Sequence, residues 1–355
     1  MNLTTNELIN LKYMMKVLSI ATWLMLLILA GCGDASPSAE EPSAQERTIT
    51  LNLDITTRAD DGTDTPEKLR LWICDGSDNL IQYIENSPTW QASSKEGIDW
   101  ITSLQAKIKT KEIESLNFYL VLNDAYSSVD DTSPISFNIY DIAALKNTPF
   151  VLTNYGGDNK VPMTGTKNLA LNADELEYGV SINATRCVAK LGIYCTKRTS
   201  SSKLIIYSFT LNKVPDKGYL FTPVDNDINY TENRDLLSGN SGGVTIATSY
   251  TTELPTDIES VESSFTKIDF DNPYLLENTY GDEQFVTEIV NPGTRYNLTV
   301  KYNFNGSDYE QTIYLPKIER NTWYKLYMRM KEIELDTYCQ VNSWTEHTMD
   351  VPPFE

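Results

Sequence analysis

Histidine is almost absent from this sequence, which holds one, His347, in 355 residues. A Ser-His-Asp or Cys-His arrangement would have to use that residue, and the count rules out a histidine-rich metal site. The sequence also lacks a nucleophile elbow, a glycine-rich phosphate loop and any C-x-x-C pair. These absences disfavour most hydrolases and a zinc or thioredoxin-type site. We therefore predict a protein that is not an enzyme and has no cofactor and no metal.

Positive charge is also scarce, because 29 Lys and Arg stand against 49 Asp and Glu, which gives a formal net charge of −20. This balance disfavours nucleic acid and anionic lipid as electrostatic partners. The acidic stretch Asp60-Asp61-Gly62-Thr63-Asp64 lacks the downstream glutamate of an EF-hand loop, so no calcium site is predicted there. A carboxylate pair for glycoside hydrolysis stays open, since a sequence gives no distances.

No apolar run reaches the roughly 20 residues of a membrane-spanning helix. The longest follows Lys16 and covers about 14 residues, Val17 to Ala30. It ends in Leu29-Ala30-Gly31-Cys32, which is typical of a bacterial lipoprotein signal. We predict that residues 1–31 are removed and that the sulfur of Cys32 carries lipid, which is then the membrane contact of the precursor.

A removable first strand is predicted next. After a polar tether, residues 33–46, aliphatic side chains occupy every second position of a segment that ends at Arg58. The alternating residues are Ile49, Leu51, Leu53 and Ile55. Arg58 opens a polar stretch and is exposed to trypsin-like proteases, so we expect a cut between Arg58 and Ala59. Arg47 is the alternative, but a cut there would leave the strand in place.

Five cysteines are present, and lipid chemistry would use Cys32. For the other four we favour buried free thiols, with one or two disulfides as the alternative. Cys187 and Cys195 share one strand-like run and would lie about 27 Å apart in a straight strand, too far to bridge.

The rest of the chain reads as short strands between turn signals, which favours β-sandwiches. Strands are predicted at 69–74, 116–122, 188–195, 204–211, 296–302, 311–315, 324–330 and 333–341, with 188–195 and 204–211 as partners. We also predict a short helix at 141–146, a turn at Asn305-Gly306, a loop at 161–167, and long connections with a few strands over residues 212 to about 288. Trp90 and Trp100 suit a sugar-stacking surface or, more commonly, a core.

Two segments carry a resemblance to a known family. Residues 315–328 read Leu-Pro-Lys-Ile-Glu-Arg-Asn-Thr-Trp-Tyr-Lys-Leu-Tyr-Met, followed by Cys339-Gln-Val-Asn-Ser-Trp344. This C-terminal region resembles the signature of the FimA-like fimbrillins, the type V pilins of Bacteroidales bacteria. Its key residues are Ile318, Glu319, Arg320, Asn321 and Tyr324. The N-terminal region is similar to the family's precursor plan, with its lipoprotein signal ending at Cys32, its tether, its alternating strand and Arg58, in that order. The internal segments Val161–Gly165 and Arg186–Lys190 also resemble segments of this family.

The resemblance implies an all-β fold of two tandem transthyretin-like β-sandwich domains with few short helices. We place these domains at 59–180 and 181–355, after a propeptide at 32–58. It also implies that an arginine-specific protease removes the first strand and that the C-terminal strand of the next subunit fills the groove. Alternating residues suit that donor role: Ile333, Leu335, Thr337, Cys339 and Val341.

The sequence thus predicts a fimbrial subunit that serves adhesion, lipid-anchored in the outer membrane as a precursor and then part of a surface fimbrium. Its expected partners are copies of itself or related subunits, the maturation protease, and host or bacterial surface receptors. A stalk, a tip and an anchor role stay open. The alternatives are a monomeric, lipid-anchored glycan-binding protein and, less favoured, a hydrolase.

Overall fold

The computed structural model describes residues 46–57, 65–93, 100–111, 113–126, 133–152, 160–221, 228–230, 232–237, 242–270, 272–278, 293–330 and 335–343. The described residues from Thr48 onward belong to one compact unit, and of the segment before it only Glu46 and Arg47 are described. No helix in the described part of the chain is long and apolar enough to cross a membrane.

The N-terminal half of the described chain is built from strands that follow one hydrogen-bonded path, β3-β2-β6-β8-β9-β1-β5-β4. Their bounds are β1 (Arg47–Thr57), β2 (Leu69–Asp75), β3 (Leu80–Asn86), β4 (Gln91–Ala92), β5 (Trp100–Thr110), β6 (Ser115–Leu122), β8 (Met163–Ala170) and β9 (Glu177–Arg186). The short strand β7 (Pro149–Phe150) lies off this path. Between β8 and β9 only Met163 pairs with Arg186 and Thr164 with Thr185. The path turns at this corner, and the strands on its two sides face each other across a shared apolar core.

That core explains why buried and exposed side chains alternate along strands such as β1 and β9. Leu71 of β2 and Phe118 of β6 contribute from one layer, and Leu51 of β1 and Ile182 of β9 contribute from the other; all four are fully buried. Trp90 lies in the same core and Trp100 packs against it, so both tryptophans are core residues.

The C-terminal half forms a second pair of sheets around a second core. One sheet has the order β15-β10-β19-β20 with β16 beside β10, and the other has the order β13-β11-β17-β18 with β14 beside β11. The strands are β10 (Ala189–Lys197), β11 (Leu204–Val214), β12 (Gly218–Tyr219), β13 (Glu232–Asp235), β14 (Val244–Thr245), β15 (Thr266–Ile268), β16 (Tyr274–Leu275), β17 (Asn297–Phe304), β18 (Ser307–Tyr314), β19 (Thr322–Met330) and β20 (Leu335–Ser343). β12 pairs with β7, which joins the two halves.

The predicted all-β fold of sandwiches with few short helices is therefore confirmed. The helices described are α1 (Ile142–Lys146) and a 3-10 turn at Glu259–Ser264. The predicted helix begins at Asp141, whose side chain accepts a hydrogen bond from the backbone N–H of Ala144. The predicted turn also forms, because Asn305 and Gly306 both have positive φ, 53° and 93°, as a two-residue hairpin turn requires.

Two local predictions are wrong. The strands β10 and β11 are not partners, because β10 pairs with β19 and β15 while β11 pairs with β17 and β13. The connection between them crosses from one sheet of the sandwich to the other. The segment 161–167 is not wholly a loop, since β8 begins at Met163 and pairs with β6.

Three cysteines, Cys74, Cys187 and Cys195, are buried free thiols, as the sequence favours. Burial, with the nearby carboxylates Asp78 and Asp75, raises the pKa of the Cys74 thiol to about 12. A thiol of that kind is a packing residue rather than a nucleophile. The predicted domain boundary near residues 179–184 falls within β9, and it stays a prediction.

Candidate functional site

The first strand, β1, lies inside a sheet rather than at its edge. It is hydrogen-bonded between β9 on one side and β5 on the other. Its pairing with β9 is parallel and unbroken from Thr50 opposite Glu177 to Thr57 opposite Ala184. The backbone N–H of Thr50 also donates to the carbonyl of Leu176 at 2.8 Å. A strand held on both sides leaves two unpaired edges when it is removed.

From Ile49 to Ile55, one face of β1 is entirely apolar and entirely buried. Its side chains are the four that the sequence predicts, Ile49, Leu51, Leu53 and Ile55, each 0% exposed. At about 1.5–3 kcal/mol for each buried aliphatic side chain, this face contributes roughly 6–12 kcal/mol to the folded chain. We name the space that β1 fills, between β5 and β9 and above the N-terminal core, the β1 groove.

The opposite face of β1 carries polar side chains that bond to both neighbouring strands. The carboxamide of Asn52 donates to Glu177 Oε1 of β9 at 2.8 Å and accepts from Gln105 Nε2 of β5 at 3.0 Å. The carboxylate of Asp54 accepts from the hydroxyl of Ser103 at 2.6 Å. These contacts form a polar rim along the groove, and they fix the register of β1 together with the backbone ladder.

The predicted processing residues are placed only in part. Cys32, Arg58 and Ala59 lie outside the described residues, so the structure adds nothing to their roles. The last described residue before Arg58 is Thr57, the end of β1. The described chain resumes with residue 65, ahead of β2.

The predicted donor residues lie away from the groove. Leu335, Cys339 and Val341 belong to β20, and Ile333 lies outside the described residues. β20 is an edge strand of the C-terminal sandwich, antiparallel to β19, with Leu335 opposite Met330 and Val341 opposite Tyr324. The structure therefore does not bring the donor residues and the β1 groove together within one chain.

Several contacts hold β20 in its own sheet. Asp336 forms an ion pair with Arg329 of β19 at 2.8 Å. The hydroxyl of Tyr338 donates to the carbonyl of Thr256 at 3.1 Å, and Val341 is packed against the C-terminal core. Leaving this position has a free-energy cost, although an edge strand has only one backbone ladder to lose.

The signature residue Arg320 acts as a clamp on residues 219–221 of the C-terminal half. Its guanidinium donates to the carbonyls of Tyr219, Leu220 and Phe221 at 3.0–3.1 Å and forms an ion pair with Glu277 at 2.9 Å. Tyr219 belongs to β12, the strand that pairs with β7 of the N-terminal half. The clamp therefore holds the peptide segment that joins the two halves.

Of the other signature residues, Asn321 bonds to the chain between β9 and β10, and Tyr324 fixes the segment before β19, where the N–H of Glu319 donates to its hydroxyl at 2.9 Å. Ile318 is buried in the C-terminal core. Asn321 has φ of 56°, its N–H donates to the carbonyl of Val188 at 2.8 Å, and its side chain accepts from the N–H of Arg186 at 3.2 Å. The hydroxyl of Tyr324 donates to the carbonyl of Lys317 at 2.8 Å. These residues are structural, and the sequence resemblance identified them without giving them this role.

Sequence reasoning missed the strands that flank β1. Buried side chains alternate along β9 at Tyr178, Val180, Ile182 and Ala184, which is a clear period-two signal. The signal along β5 is weaker, because the buried positions include the polar residues Thr102 and Thr110 as well as Ala106 and Ile108. The rim residues on these strands carry no sequence signal of their own, because their role depends on which strand lies beside β1.

A second feature is a shallow polar cleft of about 430 Å³ between α1, β6 and β8. Tyr119 and Lys146 both donate to Asp78, at 2.7 and 2.6 Å. Burial would raise the pKa of Asp78, but these hydrogen bonds and that of Asn117 outweigh it, so the pKa lies below its ordinary value. Asn168, Lys167 and Phe221 line the rest of the cleft.

Comparison with known proteins places the fold. No family model and no curated protein matches the sequence. Among solved structures, the chain is similar to the tip fimbrial protein Mfa3 from Porphyromonas gingivalis with C-terminal truncation, with a TM-score of 0.53, 12% sequence identity, and 84% of this chain and 100% of that chain covered. A fimbrial assembly protein from Parabacteroides distasonis matches with a TM-score of 0.49 and 9% identity, over 84% of this chain and 97% of that one. The protein therefore shares the all-β fold of the tip fimbrial protein Mfa3.

Proposed function

We propose that this chain is a subunit of a surface fimbria that serves adhesion, exported as a lipoprotein precursor and polymerised by exchange of its first strand. The observation that carries the proposal is β1. It is the first described strand, it lies between two other strands, and its apolar face is fully buried. A predicted processing residue, Arg58, follows it directly.

Removal of β1 would turn the chain into an acceptor. The vacated β1 groove would expose an apolar surface of the N-terminal core, flanked by the open edges of β5 and β9. An extended segment from another chain can restore both the backbone ladders and the burial. A head-to-tail contact of this kind does not close on itself, so repeated donation makes a filament.

The donor in this scheme is the C-terminal segment that begins at Ile333, delivered by the neighbouring subunit. Among the described strands β20 is at the edge of its sheet, and of the strand pairs described only β19–β20 would break when it leaves. Arg58 after a removable strand favours a stalk or tip subunit, because an anchor subunit would keep its lipid on Cys32.

The partners of this function are copies of the chain or related fimbrial subunits, an arginine-specific protease during maturation, and surface receptors of a host or of other bacteria. The precursor is held in the outer membrane by lipid on Cys32, and the processed subunit lies in the fimbrium.

The test is the N-terminal sequence of the protein sheared from the surface of the native cell. A start at Ala59 supports the proposal, and a blocked, lipid-modified Cys32 on the surface protein contradicts it. The variant Arg58→Ala should keep the lipid and lose SDS-resistant ladders. The matched variant Arg47→Ala should process and polymerise like the parent, and loss of ladders in that variant instead would move the cut to Arg47.

The polar cleft supports a second candidate function, a monomeric, lipid-anchored protein that binds a glycan. Sugar hydroxyls both donate and accept hydrogen bonds, and the cleft offers amide, ammonium and phenol groups beside the ring of Phe221. A glycan array probed with the labelled chain tests it, followed by calorimetry with the parent and Asn168→Ala. An array without signal would remove this candidate.

A further inference from the structure

We infer that the polar rim of the β1 groove selects the incoming strand by the side chain at the position of Asn52, and that it favours a strand of a different subunit over this chain's own C-terminal segment. This inference rests on the proposed strand exchange. It concerns which partner the groove takes, and it is carried by the contacts that β1 makes with β5 and β9.

Asn52 is the central residue of the seven-residue stretch Ile49–Ile55, and its carboxamide bridges the groove. It donates to the carboxylate of Glu177 on one side and accepts from the carboxamide of Gln105 on the other. Further along the same face, Asp54 and Thr56 each form a side-chain hydrogen bond to one strand only, Asp54 with Ser103 of β5 at 2.6 Å and Thr56 with Asn183 of β9 at 3.5 Å. Asn52 is thus the one position described here whose side chain contacts both flanking strands.

The chemistry of that bridge is restrictive. A side chain at this position must donate to a carboxylate and accept from an amide N–H over a short reach, which asparagine does with one planar group. An aspartate would place a second carboxylate beside Glu177 and would have no hydrogen to donate. A lysine would pair with Glu177 but could not accept from Gln105.

The chain's own donor segment does not supply this group in the registers that bury its aliphatic side chains. Those registers are the seven-residue windows 333–339 and 335–341, which each place two aliphatic residues on the groove face. The central residue is Asp336 in the first window and Tyr338 in the second, for either strand direction. Gln340 is central only in the window 337–343, whose groove face would hold Thr337, Cys339, Val341 and Ser343. Asp336 would repel Glu177, and Tyr338 carries its hydroxyl beyond the reach of the Asn52 amide.

The preferred donor is therefore an extended strand with four alternating apolar residues and a carboxamide at the centre. Its next outward position carries a hydrogen-bond acceptor, as Asp54 does. A subunit with such a groove is joined to a different kind of subunit on its acceptor side. This places it at a boundary between subunit types rather than in a run of identical copies.

The experiment is a peptide exchange on the full chain after cleavage at Arg58. A fluorescent peptide of residues 47–57 is loaded into the groove and displaced by unlabelled peptides. We expect the 47–57 peptide to displace it, with Asn52→Asp about twofold to fivefold weaker and the 333–343 peptide weaker still. The Thr48→Asp peptide, which adds the same charge at an exposed position outside the stretch paired with β9, should match the parent.

A variant of the chain supplies the cross-check. Glu177 is exposed, so Glu177→Gln should fold normally and should bind the parent and Asn52→Asp peptides with similar affinity. Equal displacement by the parent and Asn52→Asp peptides on the unmodified chain would overturn the inference. Failure of the parent peptide itself to exchange would instead contradict strand exchange, so the two outcomes are distinguishable.

Discussion

A Cβ atom on Gly165 would lie 2.7 Å from the carbonyl oxygen of Asn183, which is closer than any relaxed carbon–oxygen contact. Gly165 belongs to β8 and Asn183 to β9, next to the corner where the N-terminal layers join. The close approach requires glycine, and it explains why a glycine ends the motif Val161–Gly165.

The first prediction concerns this corner. Gly165→Ala should lower the free energy of unfolding by about 1–3 kcal/mol, because the backbone of β9 must move to admit the methyl group. Gly179→Ala is the matched control, since a Cβ there meets nothing within 4 Å. It should change stability by less than about 0.5 kcal/mol. Urea titrations of the three chains measure both values, and equal stability of the two variants would contradict the close approach.

The second prediction concerns the buried face of β1. Leu53→Ala in the uncut chain should cost about 2–5 kcal/mol, because it removes buried methyl groups and leaves a cavity in the N-terminal core. Thr48→Ala, an exposed change on the same strand, should be nearly neutral. Chemical denaturation followed by tryptophan fluorescence gives the difference. A neutral Leu53→Ala would mean that β1 contributes little to the core.

The third prediction concerns the clamp. Arg320→Ala should cost about 2–4 kcal/mol, since it removes the guanidinium partner of Glu277 and of the carbonyls of Tyr219 and Phe221. The carbonyl of Leu220 would keep the hydroxyl of Thr164 as a donor. The control Lys317→Ala removes a more exposed ion pair with Glu319 and should cost less than about 1 kcal/mol. Calorimetric unfolding of both variants provides the measurement, and similar costs would argue against the clamp.

The fourth prediction concerns alkaline pH. Burial, with the nearby Glu262 carboxylate, raises the pKa of Tyr194 from its ordinary 10.0 to about 12 in the folded chain. Between these values the unfolded chain loses this proton and the folded chain keeps it, so stability falls as pH rises from about 10 to about 12. Tyr194→Phe should retain about 1–2 kcal/mol more of its neutral-pH stability at pH 12 than the parent does. Parallel denaturation curves at pH 8 and pH 12 test this, and an equal loss in both chains would contradict it.

Features set by short-range chemistry were predictable from the sequence. The alternation along β1, the Asp141 cap of α1 and the positive-φ turn at Asn305-Gly306 each depend on a few neighbouring residues. Such local signals survive folding because no distant element competes with them.

Strand partnership was not predictable in the same way. The strands β10 and β11 have the composition of a hairpin, yet they lie in different sheets. Which strands become neighbours depends on how both sheets bury their apolar faces, and a single sequence does not contain that information in any local window.

The candidate site likewise has one part that the sequence predicts and one part that depends on strand partnership. Its apolar half, Ile49 to Ile55, follows from periodicity, while its polar rim does not. Ser103, Gln105 and Glu177 are ordinary exposed residues in the sequence, and only the placement of β5 and β9 beside β1 makes them contacts of Asn52 and Asp54.

β1 and β2 are joined by the same chain, with residues 58–68 between them. This covalent link determines whether rebinding of β1 to its groove is a first-order or a second-order reaction. While the chain is continuous, β1 rebinds at an effective concentration on the order of millimolar, so a competing strand at lower concentration cannot hold the groove. Hydrolysis between Arg58 and Ala59 would turn rebinding into a second-order reaction that dilution weakens. Hydrolysis of one peptide bond would thus change which strand occupies the β1 groove without altering any contact inside it.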